Sequence, residues 1–276
     1  HRAFGARLEA AIRPQPGAPR PGAAQRLRIG YLSGDLCTHP VAQFLQPLVE
    51  RHDRSRFEVF CYSVGTRADA LTRALASRAD AWREAAGLPD ARLADAVRAD
   101  RIDVLVDLSG HSGISRLGVF ARQPARVQVA WLGYLHSTGL TRIQYRICDR
   151  HSDPEGSADR LHTETLVRLP ESQWCYRPLV GTAAPGPRAG EFTFGSFNQV
   201  AKITRTSRRL WAEILRRRPQ ARMVLLGIPD GAAREDLLRD FREGGVDASR
   251  LDIAPHLPVA DYLRRLGEVD VALDTT

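Results

Sequence analysis

A histidine, a lone lysine and two polar loops stand where this chain could do chemistry. His39-Pro40 follows the strand-like run Leu27–Leu32 and its exit Ser33-Gly34-Asp35, and apolar residues at Val41, Phe44, Leu45, Leu48 and Val49 then recur at helical spacing. Proline suits the first helical position, so His39 is expected at a helix start. There the positive end of the helix dipole disfavours protonation and leaves an imidazole able to accept a proton, a candidate general base. A histidine that only caps the helix is the plain alternative, of equal standing on position alone. Lys202 is the one Lys among 40 basic residues. It follows Phe194-Gly195-Ser196-Phe197 and the amides Asn198 and Gln199, ahead of a helix expected from Thr206 or Ser207, an arrangement suited to holding an anion. A chain that elsewhere uses Arg for its cations suggests that a compact ammonium is needed here.

The two loops are Asp107-Leu108-Ser109-Gly110-His111-Ser112-Gly113 and Trp131-Leu132-Gly133-Tyr134-Leu135-His136-Ser137-Thr138-Gly139, each after an apolar run. Their glycines permit close approach of backbone to a ligand, and Trp131 reads mainly as core packing. The three-glycine dinucleotide fingerprint is missing, which argues against a nicotinamide-dependent dehydrogenase.

Elements that could position these residues alternate along the chain. Strand-like runs at Leu27–Leu32, Phe57–Tyr62, Val104–Leu108, Val127–Leu132 and Tyr145–Cys148 are interleaved with helical patterns, and a second set follows at Phe192–Phe197, Met223–Leu226, Leu251–Ile253 and Val269–Leu273. That rhythm predicts an α/β protein of parallel sheets, in which ligands bind outside the carboxyl ends of the strands. The expected organisation is an N-terminal helix and linker over 1–26, a Rossmann-like domain over 27–180, a Pro/Gly/Ala linker over 181–190, and the first part of a second such domain over 191–276.

The hydrophobic share of 43% over 276 residues is enough for real cores. A net charge of +8 comes from Arg spread along the chain instead of gathered in one stripe, which argues against a nucleic-acid partner. Apolar runs are too short for a membrane span, so no membrane partner is expected. Cys37, Cys61, Cys148 and Cys175 lack paired spacing, which predicts free thiols, a cytoplasmic location and no metal site.

The run Leu27-Arg28-Ile29-Gly30-Tyr31-Leu32-Ser33-Gly34-Asp35 with His39, the segment Asp107-Leu108-Ser109-Gly110-His111, the segment Trp131-Leu132-Gly133-Tyr134, and Gly195-Ser196-Phe197-Asn198 with Lys202 closely resemble the O-GlcNAc transferase and SPINDLY family, in the same order from Leu27 to Thr276. The resemblance points to a bacterial, tetratricopeptide-linked member. It implies a GT-B fold of two Rossmann-like domains facing a cleft, and inverting, metal-free, cofactor-free transfer of a sugar to Ser or Thr hydroxyls of a protein. The donor is a nucleotide sugar, UDP-GlcNAc, with GDP-fucose as the alternative. By the same resemblance His39 and Lys202 are catalytic, Lys202 neutralising the departing diphosphate. Gln199 lies at the nucleotide, the backbone of Leu132 and Gly133 lines the sugar pocket, Tyr262 stacks on the base, and Arg265 approaches the nucleotide, while Asn198, Tyr134, Thr138, Gly110 and His111 are further substrate-binding candidates. Leu135-His136-Ser137 departs from a stretch that in the family usually begins with Pro and is rich in Thr, which favours a second reading: a binding or scaffold protein that keeps the fold without turnover. The family's phosphate loop and ribose-binding acid are expected beyond Thr276 and its tetratricopeptide repeats upstream, so this chain alone is expected to bind nucleotide poorly and to be inactive.

Overall fold

A computed structural model describes residues 1–18, 26–177 and 190–275. The chain divides into two compact units, His1–Leu179 and Val180–Thr276. The expected linker over 181–190, Gly190 excepted, and residues 19–25 of the N-terminal linker lie outside the described residues.

In chain order the first unit contains α1 (Arg2–Ala11), β1 (Leu27–Ser33), α2 (Pro40–Arg51), β2 (Phe57–Ser63), α3 (Ala70–Arg78), β3 (Ala81–Glu84), α4 (Asp90–Ala99), β4 (Val104–Asp107), α5 (Leu117–Phe120), β5 (Val127–Ala130), β6 (Tyr145–Asp149) and β7 (Thr165–Leu169). Its seven strands pair in parallel in the order β3-β2-β1-β4-β5-β6-β7. Successive side chains of a strand face opposite ways, so Leu32, Phe60 and Tyr62 pack with Leu93 and Val97 of α4 in one core. Tyr31, Val59 and Cys61 pack with Val41, Leu45 and Val49 of α2 in the other. The direction of strand order reverses between β1 and β4, and the register sets Leu32 beside Asp107 and Asp107 beside Ala130. The loops that leave β1, β4 and β5 therefore start at one level, at the switch point where open α/β sheets bind ligands.

The N-terminal helix is not set apart from this unit as the sequence suggested. Leu8 and Ile12 pack against its core. Glu9 accepts hydrogen bonds from Thr141 Oγ1 at 2.7 Å and Arg142 N at 2.8 Å. Gly5 lies so close to the loop after β5 that a Cβ there would fall 1.8 Å from the Gly139 oxygen. Residues after α1 continue along the unit, with Gln15 N donating to Arg122 O at 2.8 Å.

The second unit contains β8 (Thr193–Ser196), α6 (Arg205–Arg217), β9 (Arg222–Leu226), α7 (Ala232–Glu243), β10 (Leu251–Ala254), α8 (Val259–Leu266) and β11 (Val271–Ala272). Its parallel sheet runs β10-β9-β8-β11, which again puts the first strand at the reversal. Trp211 and Leu215 of α6 and Leu237 and Phe241 of α7 pack with Met223 and Leu225 in its core. Helix α6 opens earlier than the apolar pattern suggested, because Thr204 caps it by accepting from Ser207 N at 3.1 Å.

Candidate active site

At the edge of the first unit, His39 is the N-cap of α2, and its Nδ1 accepts from Val41 N at 3.3 Å. Asp35 Oδ2 lies 3.9 Å from the same nitrogen. With its Nδ1 lone pair turned to the helix, the neutral ring carries its proton on Nε2. The helix cap and the candidate catalytic histidine are thus one residue, and what His39 presents is a donor. The acceptor expected from the helix dipole is taken up by the cap.

The loops after β4 and β5 pack against each other. A Cβ on Gly133 would fall 1.7 Å from the Leu108 oxygen, and one on Gly110, at φ +53°, would fall 2.4 Å from Tyr134 Cβ. The expected close approach at these glycines is therefore to the neighbouring loop. Leu132, at φ +72°, holds a left-handed conformation that costs a residue with a side chain roughly 1–2 kcal/mol. Trp131 is buried in the core, with its Nε1 donating to Gln173 O at 3.2 Å.

Below both loops lie charges that the sequence reading did not single out. Asp107 accepts from Ser109 N and Gly110 N, each at 3.0 Å. Burial pushes its carboxyl up to about 6 even against those two hydrogen bonds. Arg146, fully buried on β6, donates from Nη1 to the Tyr134 oxygen at 2.7 Å and lies 3.7 Å from Asp153. Glu164 accepts from Ser137 Oγ and Thr138 N, each at 2.8 Å, and from Thr138 Oγ1. An Arg inside the apolar strand run at 145–148 was a visible signal, since a charge there must find buried partners. Glu164 carried none.

At the edge of the second unit, Asn198 and Gln199 leave β8, and Lys202 ends a short 3-10 turn closed by Lys202 N donating to Gln199 O at 2.8 Å. The Lys202 side chain is exposed and has no ion-pair or hydrogen-bond partner among the described residues. Beside it a cleft of about 450 Å³ is lined by Gln199, Gly227, Pro255 and His256. Gly227, at φ +81°, lets the chain turn between the Asn198 oxygen and the His256 ring. His256 was not foreseen; its sequence signal was its place just after β10. Tyr262 packs edge-on against Phe197 at 5.4 Å. Arg265 is not brought to this edge. It pairs with Asp252 and Glu268 and lines a separate cavity of about 260 Å³ with Thr193 and Arg222, the opening residues of β8 and β9.

Residues 18–175, more than half of the chain, match the model of glycosyl transferase family 41. The chain belongs to that family. It is 37% identical to a rice protein (Oryza sativa subsp. japonica) described as a probable UDP-N-acetylglucosamine–peptide N-acetylglucosaminyltransferase SPINDLY, over 100% of this chain and 31% of the relative. It is 35% identical to the UDP-N-acetylglucosamine–peptide N-acetylglucosaminyltransferase of Caenorhabditis elegans over 54% of this chain and 13% of that one. A mutant O-GlcNAc transferase from Thermobaculum terrenum, with 42% identity, superposes at a TM-score of 0.90 over 99% of this chain and 53% of its own. The galactosyltransferase WaaB, at 12% identity and a TM-score of 0.57 over 89% of this chain and 73% of its own, shares the fold alone. The parallel-sheet architecture of this family 41 chain is that of GT-B glycosyltransferases. The chain spans roughly a third of the rice relative's length. Among its described residues no helix is long and apolar enough to cross a membrane.

Proposed function

We propose that the protein carrying this chain transfers a sugar from a nucleotide diphosphate donor to Ser or Thr hydroxyls of proteins, with inversion and without a metal. The acceptor oxygen bonds to the anomeric carbon as the sugar–phosphate bond breaks, the nucleoside diphosphate leaves with the bonding electrons, and the hydroxyl proton ends on the departing diphosphate or in solvent. The observation that carries this reading is Lys202: an exposed ammonium without a partner among the described residues, at a sheet's switch point, beside a cleft lined by Gln199 and Gly227, suited to a departing diphosphate. GlcNAc is the proposed sugar, in keeping with the names of the rice and nematode relatives, and fucose is the alternative. We assign His39 to donate from Nε2 to a donor or acceptor oxygen, Asn198 and Tyr262 to the nucleotide side, and Leu132, Gly133 and Tyr134 to the sugar side. Tetratricopeptide repeats upstream and a cytoplasmic setting belong to the same proposal.

The test incubates the full-length protein with UDP-GlcNAc or GDP-fucose and reads intact mass on the protein itself and on candidate acceptors. Sugar transfer from one donor is the expected result. Nucleotide binding without transfer or donor hydrolysis would instead support the scaffold reading, which the departure at Leu135-His136-Ser137 favours. Residues 1–276 alone are expected to bind UDP or GDP more weakly than about micromolar, since Lys202 is the one cation assigned to the diphosphate. Calorimetry on that segment checks this.

A further inference from the structure

The loop that carries the proposed sugar-side residues is fastened from below by a carboxylate outside the assigned site. Glu164 is buried, just ahead of β7. It takes the Thr138 peptide N–H at 2.8 Å, the Thr138 hydroxyl, and the Ser137 hydroxyl at 2.8 Å. Burial would raise its carboxyl, but these hydrogen bonds outweigh burial and hold it below the ordinary carboxylate range, so it remains ionised. Ser137 Oγ, held by Glu164, accepts the Gly139 N–H at 3.0 Å, and that N–H shares its peptide plane with the Thr138 carbonyl, so the carbonyl direction is set as well. The Thr138 carbonyl meets His111 Nε2 at 2.7 Å. A carbonyl oxygen can only accept, so Nε2 bears the proton and the neutral ring keeps its lone pair on Nδ1. The ring plane is held by Phe4 at 5.0 Å and Tyr134 at 5.3 Å.

His111 and His39 therefore show opposite faces of the imidazole. His39 spends Nδ1 as an acceptor and presents a proton, whereas His111 spends its proton and keeps an acceptor. We propose that Glu164 is a positioning residue, which clasps Ser137 and Thr138 so that His111 is fixed as the Nε2–H tautomer with Nδ1 as the acceptor for a substrate hydroxyl. The role in turnover rests on the transfer reaction proposed above; the tautomer does not. Arg146 braces the same loop at the Tyr134 oxygen, so the stretch from 134 to 138 is held by one buried cation and one buried anion.

The experiment uses the full-length protein labelled with ¹⁵N-histidine. Long-range ¹H–¹⁵N spectra report the tautomer of each ring, and His111→Gln identifies the His111 signal by its loss. The parent is expected to show His111 in the Nε2–H form. Glu164→Gln, which keeps the volume but loses the charge and one acceptor, is expected to give a mixture of both tautomers. Its kcat should fall about tenfold, with donor KM changed less than about threefold and an unfolding midpoint near the parent's. Thr138→Val keeps the peptide N–H on Glu164 and loses only the hydroxyl. It should shift the tautomer in the same direction by less, and it decides the matter if Glu164→Gln does not fold. An unchanged tautomer in the folded variants overturns the proposal whatever their kinetics. A parent that transfers no sugar counts against the transfer reading and leaves the tautomer measurement standing.

Discussion

The two units share a sheet order, β3-β2-β1-β4 in one and β10-β9-β8-β11 in the other, yet their switch-point edges are built differently. In the first, Asp107, Arg146 and Glu164 lie buried beneath the loops and grip their backbone from below. In the second, the described polar contact of the Asn198 side chain is a 3.3 Å bond to Ser196 Oγ, and Lys202 stands exposed. Buried charges cost desolvation and are kept where they hold geometry, whereas an exposed ammonium keeps its hydration until a ligand replaces it. The first edge is thus organised by the protein itself, and the second offers its charge to whatever binds. Removing a group from the second should act on charge stabilisation, and removing one from the first should act on placement.

The largest effect is expected at Lys202. In the proposed transfer charge gathers on the diphosphate as the sugar–phosphate bond breaks, and loss of one preorganised donor costs about 3 kcal/mol, on the order of a hundredfold in rate. Lys202→Ala should therefore lower kcat by about that factor with a smaller change in donor affinity. Lys202→Arg should recover little, because a guanidinium fork approaches an oxygen from a different angle and needs more room. Steady-state kinetics of both variants in the full-length protein check this, and an Arg variant of near-parent activity would erase the contrast between the two edges.

A smaller effect is expected at His39, where two roles share one side chain. His39→Ala loses the cap as well as the donor, and a lost N-cap costs about 1 kcal/mol. His39→Asn keeps a capping oxygen for the Val41 N–H and loses only the ring. Both should reduce kcat by at least about tenfold, while the Asn variant melts close to the parent. If Asn restores activity together with stability, the residue is a cap and nothing more.

How much of this was legible in the sequence follows from where the signals sit. Strands β1, β4 and β5 are apolar runs because both faces of a parallel sheet are covered, and Pro40 marks the start of α2. The carboxyl edge of these strands could therefore be read in order, with His39, Gly110 and Gly133 in the loops that leave it. Strands β3 and β7 escaped because they are the outer strands of the sheet, and Ala81-Trp82-Arg83-Glu84 shows no apolar run. Glu164 escaped for a different reason: it meets Thr138 across 26 positions of sequence, through chain segments that only the folded sheet brings together. Arg265 was placed at the nucleotide by resemblance alone, and nothing in the sequence pattern showed that Asp252 and Glu268 would draw its guanidinium elsewhere.

The smallest effect on turnover is expected at Asp107, whose mark is a pH dependence of stability, and the sign of that dependence separates placement from charge at the first edge. The carboxyl titrates near 3.8 when exposed and is pushed by burial to about 6 in the folded unit. Folding therefore favours the protonated form. The stability this adds is fully present below 3.8 and is lost as pH rises through about 6, a span worth about 3 kcal/mol at most. Asp107→Asn removes the titration. The amide oxygen can still accept one of the two peptide N–H groups of Ser109 and Gly110, but its NH₂ cannot accept the other, so one buried donor loses its partner. The variant should be less stable than the parent at pH 4, where the parent is protonated and at its best. The gap should narrow toward pH 7, where the parent has lost its advantage and the variant has not. Unfolding midpoints of both proteins between pH 4 and pH 7 measure this. A gap that widens with pH would mean that the ionised carboxylate is the form the fold prefers, and that Asp107 holds Ser109 and Gly110 by its charge.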